Sequence, residues 1–126
     1  MNDFWVKAIT AAKTAKVAQE LGDYDGAVNR AYYAMLDAAK AAMESINVQL
    51  LDAKSHGAII ARFGEHVVVG RGLDRSVGKA LNTTEDLRLA ADYSRKPVTE
   101  VEASQTIERM EQLLSAVAEL LGESPP

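Results

Sequence analysis

Two adjacent tyrosines, Tyr32 and Tyr33, follow Arg30 inside the alanine-rich run 27–40. Consecutive positions on a helix point about 100° apart. One ring can therefore enter a core while the other reaches a polar rim. Arg30 and Tyr33, three apart, share a face. The group suits core packing with satisfied hydroxyls, and equally a polar pocket or a dimer contact.

A second group is Arg88-Leu89-Ala90-Ala91-Asp92-Tyr93. Arg88 and Asp92, four apart, share a helix face. They can form an ordinary intrahelical ion pair. Alternatively, Asp92 holds Arg88 toward a phosphate, with Tyr93 at the border. Arginine suits phosphate because its planar fork donates two bonds at once. Arg95 follows closely. Arg88, Tyr93, Arg95, Arg30 and Tyr33 are thus the candidate ligand-binding residues.

The third group is Ser55-His56, with Arg62 and His66 further on. Histidine is the natural general base near neutral pH. Metal-free RNA cleavage needs a base for the ribose 2′-hydroxyl and a cation for the phosphorane. Arg88, Asp92 and His56 are the candidate catalytic residues. Arg62 and His66, four apart, share a face if the helix persists through Gly64. The plain alternative is that each His is an N-terminal helix or surface residue. Gly70-Arg71-Gly72 is too short for a phosphate-cradling loop. Two histidines ten apart, without a His-Glu-x-x-His pattern, do not indicate a metal site. Neither a metal nor a cofactor is expected.

These residues must be positioned by helices. Trp5, Ala8, Ile9, Ala12, Ala15, Ala18 and Leu21 recur at three- and four-residue steps, stopping at Gly22. Asp23 can cap a second helix to about Ile46. Ala27, Ala31, Ala34, Ala38 and Ala42 form its small-residue stripe, open to a close partner helix or a dimer seam. Residues 47–54 read as a connection. Ser55 caps a third helix bearing Ile59, Ile60 and Phe63, and Val67-Val68-Val69 reads as its apolar end or a packed loop. Gly70, Gly72 and Gly78 predict irregular chain over 70–82. A fourth helix is predicted over 84–93, with Leu87, Ala90 and Ala91 inward. Pro97 ends it. Thr99 and Glu102 fit a capping box for a last helix carrying Val101, Ile107, Met110, Leu113, Leu114, Val117, Leu120 and Leu121. Residues 123–126 read as a flexible tail.

The 126 residues fit one domain, with 48% hydrophobic and 25% charged residues, ordinary for a globular protein. A chain of this size can bury roughly two-thirds of its unfolded surface. The absence of cysteine excludes disulfides and thiolate metal sites and fits a reducing, cytoplasmic setting. No apolar run approaches the roughly 18 residues of a membrane span, and the start lacks a signal-peptide layout. The net charge of −4 argues against broad nonspecific nucleic-acid binding. Yet Arg62, Arg71, Arg75, Lys79, Arg88, Arg95 and Lys96 concentrate positive charge in the middle of the chain, as a local site or a solvated face.

The Asn29-Arg30-Ala31-Tyr32-Tyr33-Ala34-Met35 helix, the Lys54-Ser55-His56-Gly57 turn, the Arg88…Ala91-Asp92-Tyr93 segment and the final helix occur in an order that resembles the HEPN superfamily. The match is to its small stand-alone branch, often encoded beside a minimal nucleotidyltransferase. The resemblance implies an all-α, up-and-down four- to five-helix bundle, generally a homodimer. It also implies one half of a two-gene, toxin–antitoxin-like system that binds RNA or nucleotide phosphate, a nucleotidyltransferase partner protein, or both. Many HEPN proteins are metal-independent ribonucleases with an Arg followed, after four to six residues, by His. Here Asp92 stands where that His is expected, with three residues between. Asp is a poor base at neutral pH unless its surroundings raise its pKa. A ribonuclease toxin using Arg88 with His56 or Asp92, and a non-catalytic dimeric adaptor, are the alternatives.

Overall fold

A computed structural model describes residues 2–50, 55–94 and 96–126, and the regular structure among them is entirely helical. Helix α1 spans Asp3–Glu20. The Asn2 side chain accepts from the Phe4 and Trp5 amides and donates to the Ala41 carbonyl at 3.1 Å. One residue thus caps α1 and ties its start to the next helix. Trp5, Ala8, Ala12 and Ala15 are buried as the periodicity predicts, and Ala11 is buried beside them. Leu21 is not: it caps the helix end and is 79% exposed.

Helix α2, Tyr24–Ser45, is capped by Asp23, whose side chain accepts from the Gly26 amide at 2.9 Å. A Cβ on Gly26 would collide with that carboxylate, so the glycine makes room for the cap. The alanine stripe, Ala27 through Ala42, is fully buried within the chain's own bundle. Small side chains let α1 approach α2 closely. The stripe is therefore not available as a dimer seam.

Ser55 caps α3, His56–Arg62, by accepting from the Ala58 amide at 3.1 Å. A π-helical segment, Phe63–Val69, continues it. The amide of Gly70 reaches back to Glu65 at 3.1 Å, the five-residue step of that wider coil. Phe63, Val67 and Val68 are buried and Val69 faces out, so the apolar run is a helix end. Residues 51–54 lie outside the described residues.

Helix α4 spans Arg75–Ser94, starting well before the predicted residue 84. Only the stretch 70–74 is irregular, with Gly72 at φ 68°. Gly78 is accommodated inside the helix, whose buried face is Val77, Ala80, Leu81 and Thr84. The predicted Leu87 and Ala91 pack partly buried against a second cluster around Val28 and Val98, while Ala90 is exposed. The predicted start failed because glycine's helix cost, about 1 kcal/mol, is smaller than the gain from burying Val77 and Leu81.

Helix α5, Glu100–Leu121, begins with the predicted capping box of Thr99 and Glu102 and ends at Gly122 with φ 71°. Met110, Leu113, Leu114 and Val117 are buried, while Val101 is 65% exposed. The Val98 amide donates to Asp25 at 2.8 Å, pinning the α4–α5 connection to the start of α2. Helix α2 lies at the centre of this all-α bundle, in contact with every other helical segment. Side chains from α3 and α4 can therefore meet on its surface.

Candidate functional site

The site begins with the angular offset of two neighbouring tyrosines on α2. Tyr32 is fully buried and Tyr33 half-buried. Their rings meet edge to face, with centroids 5.2 Å apart. The Tyr32 hydroxyl donates to the Glu85 carboxylate of α4. Burial pushes the Tyr32 phenol far above its ordinary range, and the bond to Glu85 and the Glu85 charge raise it further. The hydroxyl is a fixed donor at every physiological pH.

One turn along α4, Arg88 lies over the same rings. Its guanidinium carbon is 4.7 Å from the Tyr32 centroid and 5.8 Å from that of Tyr33. Its side chain is only 15% exposed. The partner predicted for it, Asp92, stands 3.6 Å away and is largely solvated. Among the described residues the buried Nε of Arg88 has no hydrogen-bond partner. An unpaired buried donor typically costs about 1–3 kcal/mol, more when it is charged. Among the described residues this cation is met by two ring faces and a long ion pair, with its Nε left unpaired.

His56, the first residue of α3, closes the group from the other side. Its ring centroid is 5.6 Å from Tyr32 and 5.8 Å from Tyr33. Arg30 lies over Tyr33 at 5.2 Å, as their shared helix face implies. The tyrosine pair thus gathers Arg30, His56 and Arg88 from three helices. Arg30, Tyr33, His56 and Arg88 are all half-buried, neither sealed in the core nor fully solvated. Two cations, an imidazole and aromatic faces form a surface suited to phosphate and to stacked bases.

Other sequence-predicted residues fall elsewhere. Tyr93 is 84% exposed and makes no ring contact among the described residues. Arg95 lies outside the described residues, as does Lys54 of the Lys54-Ser55-His56-Gly57 turn. Arg62 donates to the Gln49 carbonyl at 2.7 Å, and His66 stands 3.9 Å from Glu65. No group of three potential metal ligands occurs among the described residues.

Glu85 was missed by sequence reasoning. Its spacing of three from Arg88 puts both on one face of α4. Nothing local shows that this face meets Tyr32, 53 positions earlier. Asp37, on the same helix as the tyrosines, was also missed.

Residues 1–120 match the HEPN domain family. The chain is 33% identical over 109 residues to a protein of Methanocaldococcus jannaschii named "Putative toxin", spanning 86% of this chain and 79% of that protein. It is 30% identical over 92 residues to a UPF0332 protein of Gloeobacter violaceus, spanning 73% of this chain and 71% of that one. With this match over nearly its whole length, and an all-helical bundle to go with it, the chain belongs to the HEPN domain family.

Proposed function

We propose that the chain is a toxin-like HEPN protein that binds the phosphate of RNA or of a nucleotide at the Arg88, His56 and Arg30 group around Tyr32 and Tyr33. The observation that carries this reading is Arg88: a largely buried guanidinium whose Nε has no hydrogen-bond partner among the described residues and whose ion pair with Asp92 spans 3.6 Å. A phosphate oxygen supplies what Asp92 does not. The name of the archaeal relative supports the toxin-like role. The test is Arg88→Glu. Loss of RNA and nucleotide binding at unchanged helical content supports the site; unchanged binding removes it.

A second reading, a metal-independent ribonuclease, is favoured by the convergence of His56 and Arg88 on one tyrosine pair. In it Arg88 clamps the phosphate and His56, rather than the solvated Asp92, moves the proton. Growth arrest on expression that His56→Gln relieves is the expected result. Normal growth with soluble wild-type protein present counts against it.

The proposal includes pairing: a homodimer, and a minimal nucleotidyltransferase as the partner protein. Exposed Val17, Leu21 and Val101 provide apolar surface for such contacts. Sedimentation of the purified chain tests the dimer, and co-purification with a co-expressed nucleotidyltransferase tests the partner.

A further inference from the structure

A groove of about 360 Å³ runs between α1 and α2, walled by Lys7, Thr10, Thr14, Arg30, Tyr33 and Asp37. Its size lies at the small end of ligand pockets, about 300–1,000 Å³. It shares Arg30 and Tyr33 with the Arg88 group, so the two are continuous across one tyrosine.

Asp37 is the unexplained member. It is half-buried, and among the described residues its carboxylate makes no hydrogen bond and no close ion pair. Burial raises its pKa, while Lys40, Lys7 and Arg30 act in the opposite direction from a distance. The two threonine hydroxyls of the groove are committed elsewhere. Thr10 donates to the Val6 carbonyl and Thr14 to the Thr10 carbonyl, both at 3.1 Å. The groove therefore presents a carboxylate without a donor, beside an aromatic ring and a guanidinium.

We propose that this groove is a nucleobase subsite selective for guanine, in which Asp37 accepts the two N–H groups of the base edge. The proposal rests on the nucleotide-binding reading of the Arg88 group. Its chemistry follows from the donor patterns of the bases. Guanine alone presents two adjacent donors, N1–H and the 2-amino group, to a carboxylate. Adenine and cytosine offer an amino group beside a ring nitrogen acceptor, which repels an anion. Uracil offers one N–H between two carbonyls. The Arg30 guanidinium, itself lying over Tyr33, provides the plane on which a base stacks. Lys7 and Arg30 add positive charge for its phosphate.

The plainer role for Asp37 is to offset three nearby cations, and one set of titrations separates the two. The full chain is titrated with GMP, IMP, AMP and XMP, alongside a labelled RNA pool, for wild type, Asp37→Asn and Arg88→Ala. Wild type is expected to bind GMP at least about tenfold more tightly than AMP, the effect of about 1.4 kcal/mol. IMP, which lacks the 2-amino group, falls between. Asp37→Asn is expected to abolish the preference for GMP and gain affinity for XMP, whose C2 carbonyl accepts from the new amide. Arg88→Ala is expected to weaken every nucleotide while keeping the GMP-to-AMP ratio. If Asp37→Asn strengthens all nucleotides alike with the ratio unchanged, Asp37 balances charge and the subsite is overturned. RNA binding that needs Arg88 but shows no base preference overturns the subsite alone. Loss of neither RNA nor nucleotide binding in Arg88→Ala overturns the underlying phosphate reading.

Discussion

The Tyr32 hydroxyl on α2 donates to the Glu85 carboxylate on α4. That bond does two things. It docks α4 against the central helix, and it occupies a carboxylate that shares a helix face with Arg88. Glu85 forms no ion pair with Arg88 among the described residues.

Tyr32→Phe keeps the ring under Arg88 and removes only the donor. Glu85 is then free to neutralise Arg88 in place of a phosphate. The single variant is expected to lose RNA and nucleotide affinity severalfold. Tyr32→Phe with Glu85→Gln is expected to recover most of it, because the competing charge is gone. Equilibrium binding on the two variants checks this; no recovery in the double variant means that Tyr32 acts only through packing.

The same substitution reports on stability. A hydrogen bond to a charged group contributes about 1.5–3 kcal/mol. In a domain of this size its loss corresponds to a fall in Tm of roughly 5–10 °C. Thermal melts near neutral pH measure it, and an unchanged Tm would mean that water replaces the hydroxyl at no cost.

Alkaline pH should act through this phenol as well. The folded chain holds Tyr32 far above its ordinary value of 10.0. The unfolded chain therefore gives up that proton first. The contribution is intact below pH 10.0 and is lost as the pH climbs from there toward the folded value. Denaturant titrations at rising pH are expected to show wild type losing stability above this point more steeply than Tyr32→Phe. Parallel curves would exclude Tyr32 as a source of the slope.

Asp37 has the same sign of pH dependence in the acid range, but its removal is expected to stabilise the fold. Burial raises its folded pKa, so the charged form is held in the fold at a cost at neutral pH. Asp37→Asn is expected to raise Tm slightly at neutral pH. The gain should vanish as the pH falls through the carboxylate range and the wild-type side chain becomes neutral. A lower Tm for the variant would show that the three neighbouring cations outweigh desolvation.

The helices were legible because their signals are local. Asp23, Ser55 and the Thr99–Glu102 pair cap the helices that their side chains announce. The start of α4 was not legible, since Gly78 reads as a break until Val77 and Leu81 are seen to be buried. The Arg30–Tyr33 and Arg88–Asp92 pairs followed from helical spacing. Their meeting did not. Which tyrosine turns inward depends on how α2 is rotated in the bundle, and spacing along one helix carries no such information. Glu85 and His56 reach the tyrosines only through the packing of α4 and α3 on α2.

The most direct measurement is to incubate a labelled pool of total RNA with the purified chain in EDTA, beside Arg88→Ala, and to read binding and cleavage together. Wild type is expected to retain the RNA, and Arg88→Ala to retain it at least about tenfold more weakly, since a charge-assisted contact of about 1.5–3 kcal/mol is removed. Cleavage that the variant also loses would add the ribonuclease activity to the phosphate site. RNA bound equally by both proteins, or by neither, would contradict the assignment of Arg88 as the phosphate-binding residue.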